Sequence, residues 1–267
     1  MKKIFRYTAL ALLAATLASC STVPVSGRRQ LSLVSDDQIQ QQASVAYKEF
    51  LNASSTKVIT GTSSAAQVKN VGNKIAAAVN QYLASQGLAQ QYNFNWEFNL
   101  VESSDVNAWC MPGGKVAVYT GILPFTANEA GLATVMGHEI AHAIARHSME
   151  QMSNQYAVQV GAQVLGVATA GKNTLIQGLV NNAYGIGGQL AMLKYSRSNE
   201  SEADQLGLVF MAMAGYNPES AVAFWERMAS AKAANSTPEF LSTHPSDARR
   251  INDIQKLIPK AMQYYKK

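Results

Sequence analysis

His138, Glu139 and His142 fall within GHEIAHAIARH, residues 137–147, which also holds His147 and so three of the four histidines in the chain. Four residues along an α-helix turn the chain about 40° past a full turn, so His138 and His142 would share one face, about 6 Å apart, and could chelate one ion. Glu139 would lie about 100° round from His138, within reach of a water on that ion. His147 would fall about 180° from His138 and could not join the pair unless the helix breaks. It is read as a packing residue or a support behind a ligand. A glycine at 145 and a histidine at 148 would extend the motif to a third histidine ligand, but those positions hold Ala145 and Ser148. The third ligand must come from elsewhere.

NESEAD, residues 199–204, offers it. Glu200 and Asp204 are four apart and share a helix face, whereas Glu202 points away. Glu200 is long enough to reach the metal, and Asp204 can hydrogen-bond a ligand histidine from behind. Taken alone, these acids would be a solvated helix face. Two histidines, one carboxylate and an open position make a catalytic zinc site, one ion per chain, rather than a closed structural one. Such an ion brings the pKa of its water toward ~7. Glu139 would take the proton and return it to the leaving amine. A further donor is needed for the oxyanion. His244 and Arg250, in HPSDARRI, are the candidates: one for the oxyanion, the other to hold substrate or orient the site.

The elements that must carry these residues read as mainly helical, α+β. Helical spacing covers 36–51 and 65–87, the latter through Val68, Val71, Ile75 and Val79. Phe94, Trp96, Phe98 and Leu100 alternate with polar residues as a half-buried strand. Pro112, Gly113 and Gly114 turn the chain into a second strand, Val116–Tyr119. One long helix then carries the histidines, with Thr126 and Glu129 as a capping box. Residues 153–195 are small, apolar and glycine-rich; a membrane hairpin is conceivable, but glutamine and glycine interrupt it, and the stretch suits packed helices or a mobile loop better. Further helices follow, one ending at Gly215.

The first twenty residues stand apart: MKKIFRY is basic, TALALLAATL is apolar, and LASC closes the segment. This is the layout of an export signal, and LASC resembles a bacterial lipobox, with Cys20 as the acylated residue. Residues 1–20 are thus read as a signal, 21–60 as a tether and helix, and 61–267 as the main domain. Losing Lys2, Lys3 and Arg6 lowers the basic count from 22 to 19 against 17 acids, so the balance falls from +5 to +2. There is no basic run to track nucleic acid. With Cys20 lipidated, Cys110 has no intrachain partner, which excludes a disulfide scaffold.

Together, NAWCMPGGKVAVYTGIL, GHEIAHAIARHSMEQ, NESEADQLG and STHPSDARRI resemble the zinc metallopeptidase family of HtpX, BepA, LoiP and the type-I CAAX prenyl proteases. GRRQLSLVS, upstream, resembles its bacterial lipoprotein branch. The resemblance spans most of 27–255. It implies a zincin-like fold, with zinc on His138, His142 and Glu200, Glu139 as base and Asp204 in support. His244 and Arg250 match the family's downstream pair. In some members that histidine also takes the fourth zinc position and holds the enzyme latent. The small sheet is expected to border the cleft, with Val116–Tyr119 at its edge, where Gly114, Val116, Ala117 and Val118 would bind substrate by backbone pairing. Trp109 and Cys110 depart from the usual pattern. Cys110 could ligate or inhibit the metal, or be a small buried side chain.

The function implied is a lipid-anchored endopeptidase acting on misfolded or stalled envelope polypeptides. Its expected setting is a Gram-negative envelope, facing the periplasm, at the outer membrane. Its expected contacts are the bilayer, through acylated Cys20, and the outer-membrane assembly machinery. A competing reading is a latent, chaperone-like binding lipoprotein in that assembly. A purely structural lipoprotein is disfavoured by the intact HEIAH motif and Glu200.

Overall fold

The computed structural model describes residues 20–164, 195–233, 238–244 and 248–265. The signal segment 1–19 and most of the glycine-rich stretch, 165–194, lie outside the described residues.

The chain opens with a hairpin, β1 (Cys20–Thr22) against β2 (Arg29–Leu31). Helix α1 (Asp36–Asn52) follows, capped by Ser35. Strand β3 is Val58–Ile59. Helix α2 (Ser63–Ser85) is capped by Thr62 and buries Val68, Val71, Ile75, Val79 and Leu83 along one stripe, as the spacing predicts. Three strands come next: β4 (Glu97–Val101), β5 (Ala108–Met111) and β6 (Lys115–Tyr119). A short turn, α3 (Leu123–Thr126), leads into α4 (Glu129–Ile144), which carries the HExxH residues. Then come α5 (His147–Val164), α6 (Arg197–Met213), α7 (Ser220–Ala233), α8 (Phe240–Thr243) and α9 (Ala248–Met262). Among the described residues the fold is mainly helical, with a small four-stranded mixed sheet and the β1–β2 hairpin, as expected for a zincin-like domain.

The sheet order is β3-β4-β6-β5. This corrects the strand expected at the edge. Val116, Ala117 and Val118 lie in β6, fully buried between β4 and β5, so a substrate cannot pair there. Gly114 does not face a substrate either: a Cβ on it would sit 2.5 Å from the Trp96 ring, and its φ is +82°. The edge beside α4 is β5. Alternation splits its side chains: Ala108 and Cys110 join the main core, while Met111 and Trp109 face α1, with Trp109 edge-on to Tyr47 and Phe50.

The single long helix expected from 126 onward is two helices. Asn128, not Thr126, is the N-cap, its side chain accepting from Gly131 N–H. The first helix ends at Ile144, and Arg146 takes a left-handed φ of 54°. Local contacts offset that strain: Arg146 donates to Gln91 C=O, pairs with Asp36 and lies 4.2 Å over the Tyr92 ring. Among the described residues no helix is long and apolar enough to cross a membrane.

Candidate metal centre

Two helices meet here without side chains between them. A Cβ on Gly137 of α4 would lie 2.9 Å from Gly207 C=O, and a Cβ on Gly207 of α6 would lie 2.9 Å from the His138 nitrogen. This backbone contact brings Glu200, two turns before Gly207, up to the histidine face of α4. Helix α8 then delivers His244 as its C-cap, and α9 delivers Arg250.

His138, His142, Glu200 and His244 are all buried, and one ligand atom from each lies within 4.8 Å of the other three. His138 Nε2 is 3.1 Å from His142 Nε2, 3.2 Å from His244 Nδ1 and 3.4 Å from Glu200 Oε2. Glu200 Oε1 is 3.5 Å from His142 Nε2 and 3.0 Å from His244 Nδ1. A tetrahedral ion with bonds of ~2.0–2.1 Å needs donor atoms about 3.3 Å apart. The spacing and the imidazole–carboxylate donors fit zinc.

His138 and Glu200 are held from behind. His138 Nδ1 donates to Asp204 Oδ1 at 3.0 Å. Arg250 grips Asp204 with two bonds, 2.9 and 2.8 Å, reaches Glu200 Oε2 at 3.1 Å and stacks 3.6 Å over the Trp225 ring. Burial alone would lower the His138 pKa, but its hydrogen bonds to Asp204 and Glu200 raise it to about 9. Burial alone would raise Glu200 and Asp204. Instead His244 and His138 hold Glu200 well below the usual carboxylate range, and Arg250 and His138 lower Asp204. For His142, burial and the neighbouring His138 push the pKa far down, which keeps its ring neutral.

Glu139 is buried, and burial raises its pKa against the pull of His244 and His138. His244 Nε2 lies 3.3 Å from Glu139 Oε1, but that oxygen makes no hydrogen bond. An unpaired buried carboxylate oxygen beside the donor cluster suits a group that handles water.

The other sequence candidates sort plainly. Cys110 is buried in the core outside the cluster, and burial pushes its thiol pKa well up. His147 sits behind His142, not among the four donors, because the helix breaks before it; Nδ1 of each is 2.8 Å from the other. Two residues were missed. Glu202 does not point to solvent: its carboxylate accepts from His147 Nε2 at 2.9 Å. Tyr195 stacks on His142 at 4.1 Å, its hydroxyl 2.8 Å from Ser148 Oγ. Nothing in the spacing of Tyr195 marks it, since it precedes its helix rather than sharing a face.

The family model described as peptidase family M48 matches residues 63–258. The chain belongs to peptidase family M48. Zinc is the ion that M48 peptidases use, in agreement with the donor set. The mitochondrial metalloendopeptidase OMA1 of Schizosaccharomyces pombe is 32% identical over 240 residues, covering 90% of this chain and 66% of that protein. OMA1 of Saccharomyces cerevisiae is 37% identical over 180 residues, covering 64% and 49%. The beta-barrel assembly-enhancing protease of Escherichia coli is 28% identical over 190 residues, covering 66% and 38%. The M48 chain thus spans from 38% to 66% of these relatives' lengths. The expected location in a Gram-negative envelope is corrected by these likenesses. Relatives in fungi, animals and a plant carry mitochondrial names, so kinship in this family does not point to that envelope.

Proposed function

We propose that the chain is a zinc-dependent metalloendopeptidase whose catalytic domain spans residues 61–267, held in the observed arrangement in a latent form. The observation that carries this reading is the placement of Glu139, buried with an unpaired oxygen, against a zinc-spaced set of three histidines and a glutamate. His138, His142 and Glu200 would hold the ion. When bound, zinc supplies Lewis-acid chemistry, polarising a carbonyl and acidifying water toward a pKa of ~7.

The protein's own groups do the rest. Asp204 keeps the hydrogen of His138 on Nδ1, leaving the Nε2 lone pair toward the cluster. Arg250 fixes Glu200 and Asp204 and limits their mutual repulsion. Glu139 accepts a proton from the attacking water and delivers it to the leaving amine. Its raised pKa suits that return step. A substrate strand would add to the outer edge of β5. Tyr119 N–H donates to Asn107 C=O, so alternation aims the backbone groups of Ala108 and Cys110 away from β6. Main-chain pairing of that kind tolerates many sequences.

His244 fits the latency role better than the oxyanion role, because its Nδ1 lies among the other donors at a ligand's spacing. Moving it aside would open the fourth position and leave Arg250 and His244 near the reacting carbonyl. The substrates we propose are misfolded or stalled polypeptides, with Cys20 as a lipid anchor in a lipoprotein branch of the family. LASC at 17–20 and the likeness to the beta-barrel assembly-enhancing protease support this.

The test compares the wild-type chain with Glu139→Gln for zinc content and cleavage of unfolded casein. One zinc in each, with turnover falling about 10²–10⁴-fold in the variant, is the expected result. Equal cleavage by both would overturn the role of Glu139, and absence of zinc from both would overturn the metal site.

A further inference from the structure

The two histidines of α4 are supported differently. Behind His138 a carboxylate stands directly, Asp204, clamped by Arg250. Behind His142 stands another histidine. His142 Nδ1 meets His147 Nδ1 at 2.8 Å, and His147 Nε2 meets Glu202 Oε2 at 2.9 Å. Glu202 is then clamped from outside the helix pair. Arg28 Nε donates to Glu202 Oε2 at 2.7 Å, and Ser26 Oγ donates to Glu202 Oε1. The same guanidinium forks onto Glu150 at 2.7 and 2.8 Å and reaches Gln30 Oε1 at 3.1 Å. His147 is fully buried, so no solvent competes along this line.

The direction of the hydrogens follows from one constraint. His142 turns Nε2 toward the donor cluster, so a ligating lone pair there leaves its hydrogen on Nδ1. That hydrogen goes to His147 Nδ1, which must accept. His147 then carries its own hydrogen on Nε2 and donates it to Glu202. A carboxylate that accepts at the end of the line is what this order requires, and Arg28 and Ser26 hold it there.

We propose that Arg28, Glu202 and His147 form a positioning relay that orients His142 for zinc, making the hairpin that follows Cys20 an integral part of the metal centre. Ser26 and Arg28 lie outside the matched residues 63–258, so the relay reaches beyond the family core. The segment before α1 therefore does more than tether the domain. The proposal rests on His142 as a zinc ligand.

The test uses the full-length chain with Glu202→Gln, Arg28→Ala and, as a control, Arg29→Ala, which removes the same charge from the exposed neighbour. Zinc affinity is read by chelator competition, and ligand geometry by the visible spectrum of the cobalt-substituted protein. Glu202→Gln and Arg28→Ala are expected to lose about 10–100-fold in zinc affinity and to shift the cobalt bands, while Arg29→Ala matches the wild type. A folded Glu202→Gln protein with wild-type zinc affinity and an unchanged cobalt spectrum would overturn the relay. So would a fall in melting temperature with neither zinc readout changed, because that is a purely structural role. Should Arg28→Ala fail to fold, the isosteric Glu202→Gln decides alone. If the wild type itself binds no zinc, the assignment of His142 falls and the relay with it. If the wild type binds zinc and the variants equal it, only the relay falls.

Discussion

Gly207→Ala adds a single methyl group, yet it is expected to cost the chain its metal more than its fold. The new Cβ would lie 2.9 Å from the His138 nitrogen, with Gly137 C and His138 Cα both at 3.0 Å. An ordinary Cβ contact begins near 3.4 Å, so α4 and α6 must part by about 0.5 Å at this point. All three neighbours are backbone atoms, so no side chain can swing away to absorb the methyl. Zinc ligand distances hold to about ±0.2 Å. An opening of 0.5 Å beside His138 therefore pulls the α6 ligand Glu200 out of range of the α4 ligands. Overpacking costs about 1–3 kcal/mol, and replacing a mid-helix glycine with alanine returns about 1 kcal/mol. The metal-free chain should lose only about 0–2 kcal/mol, a few degrees in melting temperature. Zinc affinity should fall about tenfold or more, and cleavage with it. Thermal melts of the metal-free protein and chelator competition on the loaded protein separate the two effects. Wild-type zinc affinity in a folded Gly207→Ala chain would refute the claim that this backbone contact sets the ligand geometry.

His244→Ala removes the fourth donor and should raise cleavage of unfolded casein while lowering zinc affinity; a loss of cleavage with zinc retained would return His244 to the oxyanion. The proton that His138 holds up to about pH 9 must leave for zinc to bind. Zinc affinity in chelator competition should therefore climb about tenfold per pH unit for that proton up to pH 9 and flatten above it. Asp204→Asn should shorten that range, since Asp204 is the first of the groups that raise the His138 pKa. Glu202 is lowered to about 2 from an ordinary 4.5, because His147, Ser26 and Arg28 outweigh burial. A depressed carboxylate contributes stability that is present above pH 4.5 and lost as pH falls through 2. Acid melts of the metal-free chain should drop across that window, and Glu202→Gln should flatten them.

The part of the site that is local in sequence is legible from it. The period of an α-helix places His138, Glu139 and His142 together, and the same period pairs Glu200 with Asp204. Val68, Val71, Ile75 and Val79 mark α2 for the same reason. What the sequence hides is set by tertiary contacts. The break at Ala145 and Arg146 has no glycine or proline to announce it; Arg146 is held at positive φ by Gln91, Asp36 and Tyr92, which come from far upstream. Without that break His147 faces away and cannot reach Glu202, so both look inert. The sheet order misleads for a related reason. β4 and β6 pair in parallel, which moves the second hairpin strand inward and leaves the first, β5, at the edge. The full burial of Val116, Ala117 and Val118 follows from that topology and cannot be read from alternation along one strand.

The balance of buried charge explains why these supports are needed. Glu139, Glu200 and Asp204 are all buried around the cluster, and Arg250 is the guanidinium that reaches the last two. Three carboxylates against one guanidinium would be costly in a low-dielectric interior. The metal-free protein answers this within its own means. It draws a proton onto His138, while burial raises Glu139 toward its neutral form. A dication would do the same work without protons, so metal and proton compete for one deficit of positive charge. Glu202 stands outside that contest: Arg28 neutralises it locally and ties it to Glu150. It can therefore stay ionised and accept from His147 whether or not the cluster holds a proton or a metal. That independence lets the His142 arm keep its orientation while the His138 arm changes its charge.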